Sequence, residues 1–131
     1  RIQRWLALMA TREVHTRESF VEAQLDTVSP TARSLLPLVG ADLWFTGEAA
    51  PEGTPERLRQ RALAMLAEWN GEMNEHLPEP LITEAWLRAL QDRLIRDELG
   101  PLADEFTHVD QVFIERVFRD EGGAARWCDV I

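Results

Sequence analysis

Residues 80–99 read PLITEAWLRALQDRLIRDEL, and this stretch decides the fold. Its apolar residues return with the 3.6-residue period of an α-helix and cover more than half of the helix circumference. The members of this broad apolar face are Leu81, Ile82, Ala85, Trp86, Ala89, Leu90 and Leu94. Two acid–arginine pairs spaced four apart, Glu84 with Arg88 and Asp92 with Arg96, support the polar side of the helix. Gly100 and Pro101 then predict its end. The stretch therefore predicts a long helix in the core of an all-helical bundle.

Two further helices are predicted before residue 30. The first carries one apolar stripe and fades near Thr11. Its stripe consists of Ile2, Trp5, Leu6 and Met9. Thr16 is a suitable capping residue for the second helix. The residues that this second helix is expected to turn inward are Phe20, Val21 and Leu25.

A third helix is predicted to begin where Ser29 supplies a capping hydroxyl and Pro30 occupies the first helical position. Its inward residues are Ala32, Leu35, Leu36 and Val39. Pro37 falls inside this helix and is expected to kink or shorten it. Residues 40–53 are predicted to form a loop that Trp44 and Phe45 hold in place.

The fourth helix has the clearest start in the sequence. Thr54 is the cap, Pro55 is the first helical residue, and Glu56 lies near the positive end of the helix dipole. Its apolar face consists of Leu58, Ala62, Met65, Leu66 and Trp69. Asn70 and Gly71 predict its end, because glycine readily adopts the left-handed conformation of a C-terminal cap.

The last helix is predicted to follow a Thr107 cap and to stop at Gly122 and Gly123. Its inward residues are Val112, Phe113, Val117 and Phe118. No strand-like alternation and no internal repeat occur along the chain. The prediction is therefore an all-α fold, an irregular bundle of about six helices that forms a single domain over residues 1–131.

Composition narrows the classes of function. The chain of 131 residues is 45% hydrophobic and 28% charged, as in a globular domain. Its net charge of −9 and its scattered arginines argue against nucleic-acid binding, because such a surface repels phosphates. No apolar run approaches the roughly 20 residues that a membrane span needs. The single Cys128 cannot form an internal disulfide.

Both ends of the chain indicate a piece of a longer polypeptide. Arg1 leads directly into a helical pattern, without a capping residue before it, and residues 127–131 are mostly apolar. A small protein released from a tag is the alternative.

A first group of candidate residues consists of acids and histidines. Glu72, Glu75 and His76 form the nearest approach to a metal cluster, but they lack the close multi-ligand spacing of a structural zinc site, so a solvated loop is the favoured interpretation. His15 and His108 lie at helix starts without an orienting acid nearby in sequence. Capping or surface roles are therefore favoured for both over general-base chemistry.

The other candidates also have structural interpretations. Asp26 ends a helix and is expected to hold the following turn through backbone N–H groups. Cys128 is expected to be a buried thiol. The arginines Arg88, Arg93 and Arg96 are expected on a solvated helix face, and the tryptophans are expected in the core. The three serines do not form a Gly-x-Ser-x-Gly elbow, so no catalytic set is predicted and catalytic, cofactor and metal residues are all predicted to be absent.

Several of these segments resemble, in order, the larger chain of the penicillin amidase (penicillin acylase) family. The first is Gln24-Leu25-Asp26 followed by Ser29, Ala32, Leu35 and Pro37. The second is the leucine-rich helix that ends in Trp69-Asn70-Gly71, where the family more often has aspartate at the middle position. The helix with Trp86-Leu87 and the closing Trp127-Cys128-Asp129 are also similar.

This resemblance implies an N-terminal nucleophile hydrolase. In that family a freed N-terminal serine attacks an amide, its own α-amino group acts as the base, and an asparagine helps to form the oxyanion hole. The substrates are acyl amides such as β-lactam side chains or acyl-homoserine lactones, and the fold is a four-layer αββα sandwich with helical excursions. This chain resembles such an excursion, and neither catalytic residue has a matching position in it.

The resemblance also sets expectations for the whole protein. The fragment is expected to be structural and inactive alone, with the remainder of the parent hydrolase as its partner. A calcium site in the parent and a periplasmic or secreted location are implied by the family only. Apolar surface exposed by excision predicts self-association of the fragment. The alternative function is a free-standing acidic helical module that binds another protein.

Overall fold

The computed structural model describes residues 2–40 and 47–129. Six α-helices and two 3-10 helices occupy them in the order α1 Ile2–Met9, α2 Arg17–Leu25, α3 Pro30–Gly40, α4 Pro55–Glu68, α5 Pro78–Leu99, the 3-10 helix Gly100–Glu105, α6 Gln111–Phe118 and the 3-10 helix Glu121–Cys128. These described residues contain no strand, only one isolated antiparallel bridge between Val28 and Glu72. The all-α prediction is confirmed.

The predicted capping residues explain three of the helix starts. The Thr16 hydroxyl accepts the Ser19 N–H at 3.2 Å, and the Thr54 hydroxyl accepts the Arg57 N–H at 3.2 Å. The Ser29 hydroxyl accepts the Ala32 N–H at 3.3 Å at the start of α3. These bonds satisfy N–H groups that the first helical turn leaves without a partner.

The core consists of two clusters of buried apolar side chains. The larger cluster joins α3, α5, α6 and the first 3-10 helix, and its members are Leu35, Val39, Leu87, Leu94, Ile95, Ala103, Ile114 and Val117. The smaller cluster lies between α3 and α4 and contains Ala32, Leu36, Leu66 and Trp69. Trp86 packs against both clusters, so α5 connects the two parts of the core.

Helix α5 differs from its prediction in start and in orientation. It begins at Pro78, so Pro80 lies within its first turn, where proline costs no helical hydrogen bond. Its buried residues are Thr83, Leu87, Gln91, Leu94 and Ile95. Leu81, Ala85 and Ala89 are exposed, because the chain covers only one side of the broad apolar face. Both predicted ion pairs form, Glu84 with Arg88 and Asp92 with Arg96.

The start of α6 was also predicted incorrectly. Its cap is Asp110, whose carboxylate accepts the Phe113 N–H at 3.1 Å, and not Thr107. The buried Gln91 fixes this connection, because its side chain donates to the His108 carbonyl at 2.7 Å and accepts the Asp110 N–H at 2.6 Å. The helix ends at Phe118, four residues before Gly122. Asp120, between the helix end and the two glycines, adopts a left-handed backbone conformation. Its buried side chains are Ile114 and Val117, whereas Val112 and Phe118 are exposed.

Helices α1 and α2 form what we call the N-terminal hairpin, residues 2–26. Neither helix buries an apolar side chain among the described residues; Ser19 is the one buried residue. The predicted inward positions of α2 were therefore wrong, since Phe20, Val21 and Leu25 are exposed. Helix α1 is amphipathic, but the bundle does not cover its apolar side.

Three smaller predictions complete the comparison. Helix α3 continues through Pro37 to Gly40, so this proline does not shorten it. Leu58 of α4 is exposed rather than part of a buried face. Trp44 and Phe45, which were predicted to hold the loop after α3, lie outside the described residues. Among the helices of the described residues, none is both long enough and apolar enough to cross a membrane.

Candidate functional site

The turn before α3 and the turn after α4 are joined by backbone hydrogen bonds. The Ser29 N–H donates to the Gly71 carbonyl at 2.8 Å, and the Met73 N–H donates to the Thr27 carbonyl at 3.0 Å. We call this contact, residues 26–29 with residues 69–73, the two-turn clasp. Both segments were singled out in the sequence, but their contact was not predicted.

Gly71 permits the close approach of the two turns. Its φ angle is +89°, a conformation that strains other residues, and a Cβ built on it would lie 2.9 Å from the Ser29 carbonyl oxygen. The neighbouring side chains stabilise the same turn. The indole N–H of the buried Trp69 donates to the Glu72 carbonyl at 2.9 Å, and the Asn70 side-chain oxygen accepts the Glu72 N–H at 2.9 Å. Asparagine at position 70 therefore performs the turn-holding role of an Asx residue.

Asp26 connects the clasp to α1. Its carboxylate accepts the Val28 N–H at 3.2 Å, which confirms the turn role predicted for it. The same carboxylate accepts two bonds from the Arg4 guanidinium, at 2.8 and 2.7 Å. The hydrogen bonds from Arg4, together with that from Val28, lower the pKa of Asp26 below its ordinary value. A planar contact with two hydrogen bonds fixes the orientation of the Arg4 guanidinium relative to the Asp26 carboxylate, in addition to pairing their charges.

A pocket of about 520 Å³ lies between the N-terminal hairpin and the clasp. Its polar lining includes Arg4, Gln24, Asp26, Ser29 and Thr31, and its apolar lining includes Trp5, Leu8 and Met73. Arg4 and Asp26 neutralise each other within this lining. The arrangement therefore favours a structural junction over acid–base chemistry.

A second, apolar pocket of about 550 Å³ lies between α4 and α5. Leu63, Leu66, Ile82 and Trp86 supply its apolar surface, and Glu56, Arg59 and Gln60 lie at its polar side. A groove of this composition accommodates apolar chains better than charged ligands.

The acids and histidine considered for metal binding are not brought together. Glu72 belongs to the clasp through its backbone, whereas Glu75 and His76 are exposed, with 3.7 Å between Glu75 Oε1 and His76 Nε2. Within residues 2–40 and 47–129, no group of three or more histidine, cysteine or acidic side chains is placed to hold a metal.

The other two histidines occupy structural positions. His15 Nε2 lies 2.8 Å from the Met9 carbonyl oxygen, and Nδ1 lies 3.2 Å from the Ser19 hydroxyl. His15 thus connects the end of α1 to the start of α2, in agreement with the capping or surface role predicted for it. His108 is exposed and contributes its backbone carbonyl to the Gln91 contact.

Cys128 is exposed, so the expectation of a buried thiol was wrong. It lies in the closing 3-10 helix, outside the two core clusters. Partial desolvation, with the nearby Asp129 carboxylate, raises the pKa of this thiol above its ordinary value. The fraction of reactive thiolate at neutral pH is therefore reduced.

The arginine face of α5 and the tryptophans mostly follow expectation. Arg88, Arg93 and Arg96 are exposed, and Arg96 bonds Asp92 as well as Asp104 across the end of the helix. Trp69 is buried, and Trp127 packs edge-on against Phe113 at the border of the core. Trp5 is the exception among the described tryptophans, because 40% of its surface is exposed.

The fold and the clasp define a helical scaffold in which the polar side chains described above mainly form hydrogen bonds and ion pairs with one another and with the backbone. The particular segments that meet in the clasp, Gln24-Leu25-Asp26 with Ser29 and Trp69-Asn70-Gly71, are those that carry the resemblance noted in the sequence. The family model for penicillin amidase matches residues 1–131, the whole chain. The chain therefore belongs to the penicillin amidase family. Comparison with curated proteins and with solved structures found no significant match.

Proposed function

We propose that this chain is a structural helical part of a penicillin amidase-like hydrolase and is inactive by itself. The observation that carries the proposal is the clasp, in which the two segments that carry the resemblance to the family are held together by backbone bonds, within a chain that the family model matches throughout. The reaction that we propose for the whole enzyme is hydrolysis of linear acyl amides by an N-terminal serine outside this chain. β-Lactam side chains and acyl-homoserine lactones are the substrate classes implied.

The use of the polar groups supports a structural role. Asp26 is engaged by Arg4 and a backbone N–H, and His15 is engaged by Met9 and Ser19. A general base needs a free lone pair near a reacting atom. The Asp26 carboxylate directs its lone pairs to Arg4 and to the Val28 N–H, and His15 Nε2 faces the Met9 carbonyl oxygen, which can only accept a hydrogen bond. We assign the apolar groove between α4 and α5 to the part of the parent enzyme that binds the acyl group of the substrate, because its lining suits an acyl chain.

An activity measurement tests the proposal directly. The purified 131-residue chain is incubated with a phenylacetyl amide and with an acyl-homoserine lactone, and release of the amine is followed. We expect no turnover above that of buffer, and we expect turnover from the protein encoded by the complete gene. Amide hydrolysis by the 131-residue chain alone would contradict the structural role.

The flanking coding sequence separates this proposal from a free-standing interaction module. The proposal requires an upstream serine at which self-cleavage creates a new N-terminus. A reading frame that begins close to Arg1 would instead favour the module. Detection of the mature enzyme in a periplasmic or culture-supernatant fraction tests the location, which we propose to be periplasmic or secreted.

We also propose that the isolated chain associates with itself. Fifteen large apolar residues are exposed by more than a third among the described residues, including Ile2, Leu25, Leu81 and Leu102. Where such residues lie side by side, the resulting apolar patch usually marks a contact with a partner. Sedimentation velocity over a range of protein concentrations tests this proposal, and a single monomeric species at every concentration would refute it.

A further inference from the structure

The chain contains two asparagines, Asn70 and Asn74, and both hold the same kind of turn. Each side-chain oxygen accepts the backbone N–H two residues further along, at 2.9 Å in both cases, which is the geometry of an Asx turn. The two positions differ in the residue that follows, because Gly71 comes after Asn70 and Glu75 comes after Asn74. The chain therefore offers a matched pair in which only the next residue changes.

The next residue decides how readily an asparagine reacts with its own backbone. Asparagine is a chemically labile residue, because the following backbone nitrogen can attack its side-chain carbon Cγ. A side chain on the following residue obstructs this approach, and glycine has none. No described residue accepts a hydrogen bond from the Gly71 N–H, so no such bond has to break. The N–H that donates to Asn70 Oδ1 also draws electron density away from Cγ.

The reaction is deamidation through a cyclic imide. Hydroxide removes the proton of the Gly71 N–H, and the nitrogen forms a bond to Asn70 Cγ. The C–N bond of the side-chain amide then breaks, and ammonia leaves with a proton from water, which regenerates hydroxide. Water next opens the ring at one of its two carbonyl carbons. Opening at Cγ gives aspartate, whereas opening at the backbone carbonyl carbon gives isoaspartate, in which the main chain runs through the former side chain.

The two products differ in their fit to the two-turn clasp. Aspartate keeps the original main chain and a side-chain oxygen for the Glu72 N–H. Isoaspartate adds a methylene group to the main chain directly before Gly71. The Gly71 carbonyl accepts the Ser29 N–H at 2.8 Å, and even a Cβ on Gly71 would lie 2.9 Å from the Ser29 carbonyl oxygen. So close a contact leaves no room for a displaced chain, and the clasp accommodates aspartate but not isoaspartate.

The clasp also controls access to the reacting nitrogen. Asn70 is exposed, but Gly71 is buried. The bonds from Ser29 to Gly71 and from Met73 to Thr27 hold the two turns together over this position. Hydroxide therefore reaches the Gly71 N–H when these bonds open in a local fluctuation.

We infer that Asn70 is a site of spontaneous deamidation, that it reacts when the two-turn clasp opens, and that the isoaspartate product prevents the clasp from closing again. The reagent is water with hydroxide, and no other co-reactant is needed. The inference concerns the chemistry of this chain alone and does not depend on the role proposed for it in the hydrolase.

Peptide mapping by mass spectrometry tests the site. The complete chain is incubated in mildly alkaline buffer, and fragment spectra assign the loss of amide to position 70 or 74. We expect Asn70 to react and Asn74 to remain intact. A synthetic peptide of residues 66–76 contains both asparagines without the clasp. Its residue 70 should react at least about tenfold faster than in the chain, because the clasp is mostly closed in the chain.

The products are then compared in stability. The isoaspartate form, separated by chromatography, should unfold at a lower urea concentration than the unreacted chain. Asn70→Asp reproduces the other product and is the matched control, since it carries the same charge on an unchanged main chain. It should unfold close to the unreacted chain, as is usual for an exposed substitution that keeps its hydrogen bond.

Each part of the inference has its own contrary result. Equal reaction at Asn70 and Asn74, or no reaction at Asn70 in the chain, overturns the site. Reaction in the chain as fast as in the peptide overturns the control of access by the clasp. An isoaspartate form as stable as Asn70→Asp overturns the effect of the product on the clasp.

Discussion

The N-terminal hairpin and the bundle formed by α3 to α6 use the same kind of sequence pattern with opposite results. Both contain helices with apolar residues at helical spacing, yet the bundle buries one side of its helices, with Leu35, Leu87 and Val117 at 1% exposure, whereas the hairpin buries no apolar side chain. A periodic pattern therefore determines that a helix has an apolar side. Whether that side is covered depends on the neighbours that the rest of the fold supplies.

The two regions also differ in what connects their elements. Buried apolar side chains join α3, α5 and α6. The hairpin is held mainly by directed polar contacts, such as Arg4 with Asp26 and His15 with the Met9 carbonyl, and by the stacking of Trp5 on Phe20. Apolar burial contributes in proportion to area, whereas partly exposed polar pairs contribute less. The bundle is thus expected to carry most of the free energy of unfolding.

The largest effect is expected from matched leucine truncations in the two regions. Leu87 in α5 is 1% exposed and Leu6 in α1 is 61% exposed. Leu87→Ala should lower the free energy of unfolding by about 2–5 kcal/mol, because it leaves a cavity in the core. Leu6→Ala should lower it by no more than about 0.5 kcal/mol when the chain is dilute enough to be monomeric. Urea denaturation measures both values, and equal losses would mean that the hairpin is packed as tightly as the bundle.

The junction between the two regions gives the next largest effect. Gly71→Ala should cost about 2–4 kcal/mol, because it combines a left-handed backbone with a contact against the Ser29 carbonyl. Gly53→Ala is the control: its φ is +81°, but the added Cβ would meet no atom within 4 Å. We expect Gly53→Ala to lower the free energy of unfolding by the cost of the left-handed backbone conformation alone, about 1–2 kcal/mol. Thermal or urea unfolding measures the loss of free energy of unfolding in each variant, and the difference between the two losses is the cost of the contact between the added Cβ and the Ser29 carbonyl. A loss for Gly71→Ala no greater than that for Gly53→Ala would contradict the close approach of the two turns.

The contrast between the regions also explains which features could be predicted. Helix starts at Thr16, Ser29 and Thr54 and the end at Gly100 were predicted, because caps and stops depend on residues within one turn. The capping residue of α6 was predicted incorrectly from the local sequence, because a residue distant in sequence determines where this helix starts. The Gln91 side chain, nineteen residues away, holds Asp110 at the start of α6, so the threonine at position 107 has no capping role.

The candidate site was predictable only in part. The turn role of Asp26 follows from its position, and the resemblance in sequence identified both segments of the clasp. The Arg4 contact was missed, because 22 residues separate the partners and no periodic pattern connects them. The exposure of Cys128 was missed for a related reason, since the apolar residues around it in sequence do not fix which side the closing 3-10 helix turns to the core.

The smallest expected effect is a loosening of the hairpin in acid. Because Arg4 and Val28 lower the pKa of Asp26 in the folded chain, the folded carboxylate holds its proton less tightly than the unfolded one. Its stabilising contribution is therefore complete above the unfolded pKa, near 3.9, and is lost as the pH falls through the lower folded value. We expect hydrogen exchange of α1 amides, corrected for intrinsic rates, to accelerate in that range before exchange of α5 amides does.

Asp26→Asn should remove this pH dependence and leave α1 exchange fast at neutral pH as well. Asp92→Asn is the matched control, because Arg96 also lowers the pKa of Asp92, but that pair lies on the exposed side of α5. Its loss should leave α1 exchange unchanged. If α1 and α5 instead loosened together in acid, the hairpin and the bundle would unfold as one cooperative unit, and the polar junction at Asp26 would contribute to the stability of the whole chain rather than to the hairpin alone.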